Sequence, residues 1–124
     1  MRNKIIAFDL DDVLCHRSSN EGGIKKYYSC YPDKKMIEIV NKLYEQGATI
    51  KIYAARGMSV FSGDVNKIYS NLYNLTLEQL NDWGIMYHEL VMGKLHYDLL
   101  IDDKALNSID VDCEKIRSIV YGNN

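Results

Sequence analysis

A chain of 124 residues has room for one domain with one apolar core, and its 47% apolar content supplies that core. With 15 basic against 17 acidic side chains the net charge is −2, so no bulk field draws the protein to nucleic acid or a membrane surface, and an anionic ligand must be captured by local groups. The three cysteines, Cys15, Cys30 and Cys113, contain no C-x-x-C pair, which argues for a reducing, cytoplasmic setting over a disulfide framework or a zinc knuckle.

Ile5 to Phe8 is a continuous apolar run ending at Asp9, too short for a signal peptide or a membrane span, and reads as a strand buried on both faces. Residues 15–32 are polar and glycine-containing, then aromatic (Tyr27, Tyr28, Tyr31), and predict a small flap. Asp33 is placed to cap a helix whose apolar positions are Met36, Ile39, Val40, Leu43 and Tyr44, with Gly47 as its left-handed end. Thr49 to Ala54 alternates and is β-branched, as a strand would be. Residues 59–73 have a weak helical pattern, and Thr76 followed by Gln79 predicts a capping box for a separate short helix reaching Trp83. Ile85 to Leu90 predicts a short strand. Tyr97 to Ile101 predicts a clearer one that stops at Asp102-Asp103, and the spacing of Cys113, Ile116 and Ile119 suggests a terminal helix, with a strand as the alternative.

Alternating strands and helices predict an α/β fold, a three-layer α/β/α sandwich around a mainly parallel sheet, as one domain over 1–124. In such sheets the ligand crevice lies at the carboxyl ends of the strands, where Asp9 and Asp102 are both expected. Side chains two apart on an extended segment share a side, so Asp9 and Asp11 should face one pocket. One carboxylate could attack a phosphoryl group while the other handles the proton of the departing alkoxide. Bringing Asp102 and Asp103 beside them would gather four carboxylates. Unit charges 4 Å apart repel by about 4 kcal/mol at an effective dielectric near 20, so a cation is expected, and an all-oxygen set suits Mg²⁺. Lys94, eight residues before Asp102, could neutralise charge on a phosphate.

The apolar strand followed by Asp9-Leu10-Asp11-Asp12-Val13, the strand ending near Arg56-Gly57, then Lys94, and then Asp102-Asp103 resemble the haloacid dehalogenase superfamily. The stretches 52–58 (IYAARGM), 76–83 (TLEQLNDW) and 93–105 (GKLHYDLLIDDKA) are more narrowly similar to its small capless phosphatases, often associated with capsular polysaccharide biosynthesis. The resemblance implies a Rossmann-like sandwich without a cap domain. It implies Asp9 as a nucleophile forming an aspartyl-phosphate, and Asp11 as general acid and then base. Mg²⁺ would be held by Asp9, Asp11 and Asp102, with Asp103 acting through water or on Lys94. The substrate would be a small phosphorylated sugar or alcohol.

One position departs from the family pattern. Ala54 stands where a Thr or Ser usually donates a hydroxyl to the phosphate, a loss of about 2.7–4 kcal/mol in transition-state stabilisation if nothing replaces it. The backbone N–H of Ala55 and the guanidinium of Arg56 are the expected replacements, Arg56 being equally suited to a structural salt bridge. Leu95, commonly Pro in the family, is a lesser departure. Without a cap, a neighbouring subunit could enclose the site, so a homo-oligomer is expected. His16 reads as a loop histidine, His88 and His96 as structural, and Lys25-Lys26-Tyr27-Tyr28 as part of the flap. A receiver domain is disfavoured because Tyr53-Ala54-Ala55-Arg56 offers no phosphoacceptor aspartate. A feeble relative kept as a binding or assembly module, and a phosphotransferase, are the alternative readings.

Overall fold

The computed structural model describes residues 4–122. Its elements, in order, are β1 (Ile5–Asp9), β2 (Cys15–His16), α1 (Lys25–Tyr28), β3 (Tyr31–Pro32), α2 (Lys34–Glu45), β4 (Thr49–Ala54), α3 (Val65–Asp82), β5 (Glu89–Met92), a 3₁₀ turn (Ser108–Asp110) and α4 (Cys113–Tyr121). The fold is mixed α/β. β1, β4 and β5 form a parallel three-stranded sheet in the order β1-β4-β5, and β2 pairs with β3 as an antiparallel ribbon. No helix among the described residues is long and apolar enough to cross a membrane.

Parallel pairing in register, Phe8 opposite Ile52 and Ile52 opposite Leu90, brings the carboxyl tips of the three strands side by side. The alternation in β4 buries Ile50, Ile52 and Ala54 at its centre. α2 packs on β4, α3 on β5, and α4 on α2. The cap and apolar stripe of α2 are as expected. The Asp33 carboxylate accepts from the Met36 N–H at 3.0 Å, Met36, Ile39, Val40 and Leu43 are buried, and Gly47 has φ 101°.

Three expectations are corrected. β1 is an edge strand rather than a strand covered on both faces: Phe8 is buried, but Ile5 is 62% exposed. The strand expected over 97–101 does not form, and every residue from 98 to 107 is exposed, Ile101 by 90%. These two findings are one, because the missing strand leaves the far edge of β1 unpaired among the described residues. Finally, Thr76 caps nothing. A single helix runs from Val65 to Asp82, capped by Asp64, and Thr76 lies buried inside it with its hydroxyl donating to the Leu72 carbonyl at 2.7 Å. The capping-box pair points inward instead, for a reason that Arg56 supplies.

Candidate functional site at the strand tips

β1 ends at Asp9 and the chain turns at once. The Leu10 carbonyl accepts from the N–H groups of Val13, Leu14 and Cys15, and Asp12 takes a left-handed φ of 69°. Leu10 and Leu14 are fully buried and anchor this turn. The strand stops at Asp9, and the carboxylates of Asp9 and Asp11 take different partners.

Asp9 meets Lys94. The Lys94 ammonium lies 3.3 Å from Asp9 Oδ2, and the Leu10 N–H donates to Oδ1 at 2.9 Å. Lys94 reaches this point because it stands just past β5, one residue beyond Gly93, with its N–H donating to the Ala54 carbonyl at 3.0 Å. Its ammonium is 5.3 Å from the Tyr97 ring centre and 6.0 Å from that of Tyr53. Burial works against the lysine charge, but a hydrogen bond with Tyr97 and the Asp9 carboxylate outweigh it and raise the Lys94 pKa. For Asp9 burial is the larger influence, and it raises the carboxyl pKa despite Lys94. The Asp9 side chain keeps 37% of its exposure, so a small solute can reach it.

Asp11 meets Arg56. The Arg56 Nε lies 3.0 and 3.2 Å from the two Asp11 oxygens, and Nη2 donates to Oδ1 at 3.1 Å. Nη1 donates to Thr76 Oγ1 at 3.1 Å and to Gln79 Oε1 at 2.6 Å, while the Gln79 amide donates to the Tyr27 carbonyl at 2.7 Å. The guanidinium also lies 5.2 Å from the Tyr27 ring centre. Arg56 is only 1% exposed. Burial alone would lower its pKa, but the charge and hydrogen bonds of Asp11 raise it instead. Every nitrogen of the guanidinium is engaged, which matches the structural salt bridge, one of the two expectations for Arg56. Gly57 makes the bend possible. Its φ is 79°, and a Cβ there would stand 2.7 Å from Leu72 Cδ1.

The turn and the flap ribbon also bring Cys15 and Cys30 to Asp11. Cys15 Sγ is 3.3 Å and Cys30 Sγ 3.8 Å from Asp11 Oδ1. The hydrogen bond between the two thiols is the main influence on both, raising the Cys15 pKa and lowering that of Cys30. Among the described residues, the one group of Asp, Glu, His and Cys side chains with ligand atoms all within 4.8 Å of each other is Asp11, Cys15 and Cys30. The expected metal set of Asp9, Asp11, Asp102 and Asp103 is not gathered in this way. Asp102 lies in the exposed segment, where its carboxylate accepts from the Lys104 N–H at 3.2 Å, and Asp103 is exposed beside it. Ala55, just past β4, is half-buried, and its carbonyl accepts from the Met58 N–H at 3.1 Å.

Sequence reasoning brought Asp9 and Lys94 together correctly and missed Tyr97, Thr76 and Gln79 as partners. Only the capping-box residues carried a signal, and it was read as local. A cavity of about 320 Å³ opens behind the first turn, lined in part by Asp12, His16, Asp33 and Ser108, and not by Asp9 or Lys94. There His16 Nε2 lies 2.8 Å from Asp33 Oδ2, which holds the Asp33 carboxyl below its usual range.

The structure is thus a mixed α/β fold with a parallel sheet and a carboxylate–lysine pair that spans the tips of β1 and β5, with β4 between them. A crystal structure of an MCSG target from Vibrio cholerae is similar to this chain, with a TM-score of 0.79 and 27% identity, covering 94% of this chain and 96% of that one. No protein-family model matches the chain, and no curated protein matches it.

Proposed function

We propose that the chain is a phosphomonoester hydrolase of the haloacid dehalogenase type, acting on a phosphorylated sugar or small alcohol with Asp9 as nucleophile. The observation that carries this reading is the Asp9–Lys94 pair at 3.3 Å, at the carboxyl tips of β1 and β5 and open to solvent on one side. An Asp9 oxygen attacking phosphorus would form an acyl phosphate while the substrate's alcohol leaves. Lys94, fixed by Tyr97 and by its backbone link to Ala54, would sit beside the charge that develops on the phosphoryl oxygens. Asp11 can protonate the leaving oxygen and later activate water only once its carboxyl is released by Arg56.

Magnesium prefers an octahedral shell of oxygen ligands. The compact donor group found here is one carboxylate and two thiols, and Asp102 and Asp103 stand apart in an exposed segment. The residues as placed do not fit Mg²⁺. A Mg²⁺ requirement belongs to the proposal only through a movement that carries 97–103 to the open edge of β1.

The engagement of Asp11 by Arg56 and the exposure of Asp102 favour a second reading, a weakly active binding or assembly module. Hydrolysis of p-nitrophenyl phosphate, with Mg²⁺ and with EDTA, separates the two. The enzyme reading expects turnover that falls by a factor of 10³ or more in Asp9→Asn, on the scale of losing an essential nucleophile. Equal turnover in that variant would falsify the nucleophile. A folded wild-type chain without turnover under any divalent ion favours the module.

A further inference from the structure

Asp11 is flanked by two thiols that the proposed chemistry does not use. The register of the β2–β3 ribbon sets Cys15 opposite Pro32 and His16 opposite Tyr31. Cys30, two residues before Pro32, therefore lies on the same face as Cys15 at the neighbouring diagonal position. The two sulfurs lie within 4.8 Å of each other. Cys15 is fully buried behind Leu10, whose carbonyl its thiol contacts at 3.7 Å, and the Arg56 Nη2 lies 3.6 Å from its sulfur. Cys30 is half-buried at the flap, where a small solute can reach it. Cys113 lies on another element, against the Ile39 carbonyl of α2.

We propose that Cys15 and Cys30 are a modification site that closes into a reversible disulfide in the presence of a hydroperoxide. The Cys30 sulfur, as thiolate, attacks the terminal peroxide oxygen. The O–O bond breaks, an alcohol leaves after taking up a proton, and Cys30 becomes a sulfenic acid. The Cys15 sulfur then attacks the Cys30 sulfur, the S–O bond breaks, and the hydroxyl departs with a proton as water. Two thiols lose two electrons and two hydrogens, and the hydroperoxide is reduced to an alcohol and water. Two equivalents of an added thiol reopen the bond by exchange, the first forming a mixed disulfide and the second releasing the cysteine as the donor leaves as its own disulfide. Closure needs a shift of the flap, because diagonal ribbon positions place Cα atoms about 7–8 Å apart and a disulfide prefers 4.4–6.8 Å. The short two-residue strands of the ribbon make that shift local. Once closed, neither sulfur donates to Asp11, and the flap is stapled to the turn after β1.

The test is a peptide map of the whole reduced chain before and after treatment with tert-butyl hydroperoxide, followed by alkylation and trypsin. Cleavage after Lys4, Arg17, Lys26 and Lys34 puts the two cysteines on the separate peptides 5–17 and 27–34. The expected result is that these two are joined after oxidation, that dithiothreitol separates them, and that Cys113 still alkylates. Pairing in the native chain should be faster than in urea by roughly tenfold or more, the order expected when a contact pre-positions reacting groups. In Cys15→Ser, Cys30 should be trapped as a sulfenic acid by dimedone. The proposal is overturned if Cys15 and Cys30 both alkylate fully after peroxide and denaturation, if pairing is no faster than in urea, or if Cys113 is the partner. The map reads covalent bonds only, so it stands or falls separately from phosphatase activity.

Discussion

Arg56 and Asp102 each follow a predicted strand in a polar turn, and the structure treats them in opposite ways. Arg56 is 1% exposed and held by Asp11, Thr76 and Gln79, whereas Asp102 belongs to a run from 98 to 107 with no buried residue. The difference lies in what flanks them. The turn after β4 is clamped by Gly57 against Leu72 and by the Tyr27 hydroxyl, which accepts from the Gly57 N–H at 3.0 Å. The turn at 102–103 follows the five residues 97–101, none of which finds a strand to pair with. A buried charged residue is tolerated because its partners come with it, and an apolar run without a partner stays in solvent.

The largest expected effect lies in the first region. Arg56→Ala would leave Asp11 without its buried cation and take from the Thr76 and Gln79 side-chain oxygens the donor they share. A loss of about 3–5 kcal/mol is expected from denaturant unfolding, as for a buried pair broken on one side. A loss under about 1 kcal/mol would show that the network is solvated, and would return Arg56 to the phosphate.

An intermediate effect is expected at the cap of α2. Asp33→Ala should cost about 1 kcal/mol, the usual value of an N-cap. The His16 hydrogen bond, and then the Met36 N–H, lower the Asp33 pKa from 3.8. Its contribution is thus present above the unfolded pKa and lost as pH falls through the lower folded value. Wild type and variant should converge in unfolding experiments at strongly acid pH, and a constant gap would remove the carboxylate from the explanation.

In the second region Ile101→Ser should change stability by no more than about 0.5 kcal/mol, as for other exposed positions. A cost of 2 kcal/mol or more would mean that 97–101 packs against β1 in solution, which would bring Asp102 towards Asp9 and restore the expected metal site. Urea unfolding of this one variant therefore decides between the two arrangements.

The smallest effect on stability is expected at Asp9. Burial raises its pKa, so the folded chain holds that proton more tightly than the unfolded chain does. Its carboxyl therefore favours folding at low pH and loses ground as pH rises from the unfolded value through the raised folded one. Asp9→Asn removes this loss, and its Tm at neutral pH should equal or exceed that of wild type even where turnover is abolished. A clear fall in Tm would show that the pair with Lys94 outweighs the burial of the carboxylate.

Local patterns in the sequence determined the elements that local physics controls. An acidic cap, an apolar stripe and a left-handed glycine suffice to specify α2, and β-branched alternation suffices for β4. The sequence also placed Asp9 at a strand tip, but it set Lys94 only upstream of the run at 97–101, and the parallel pairing of β5 with β4 is what carries that lysine to a tip. Only the tertiary structure decided the rest. Thr76 and Gln79 have the spacing of a capping box, yet that spacing also puts them on one face of a longer helix, where a buried guanidinium claims them. The run at 97–101 has strand-like composition, but a strand exists only through the hydrogen bonds of a neighbour, and pattern alone cannot say whether that neighbour is met.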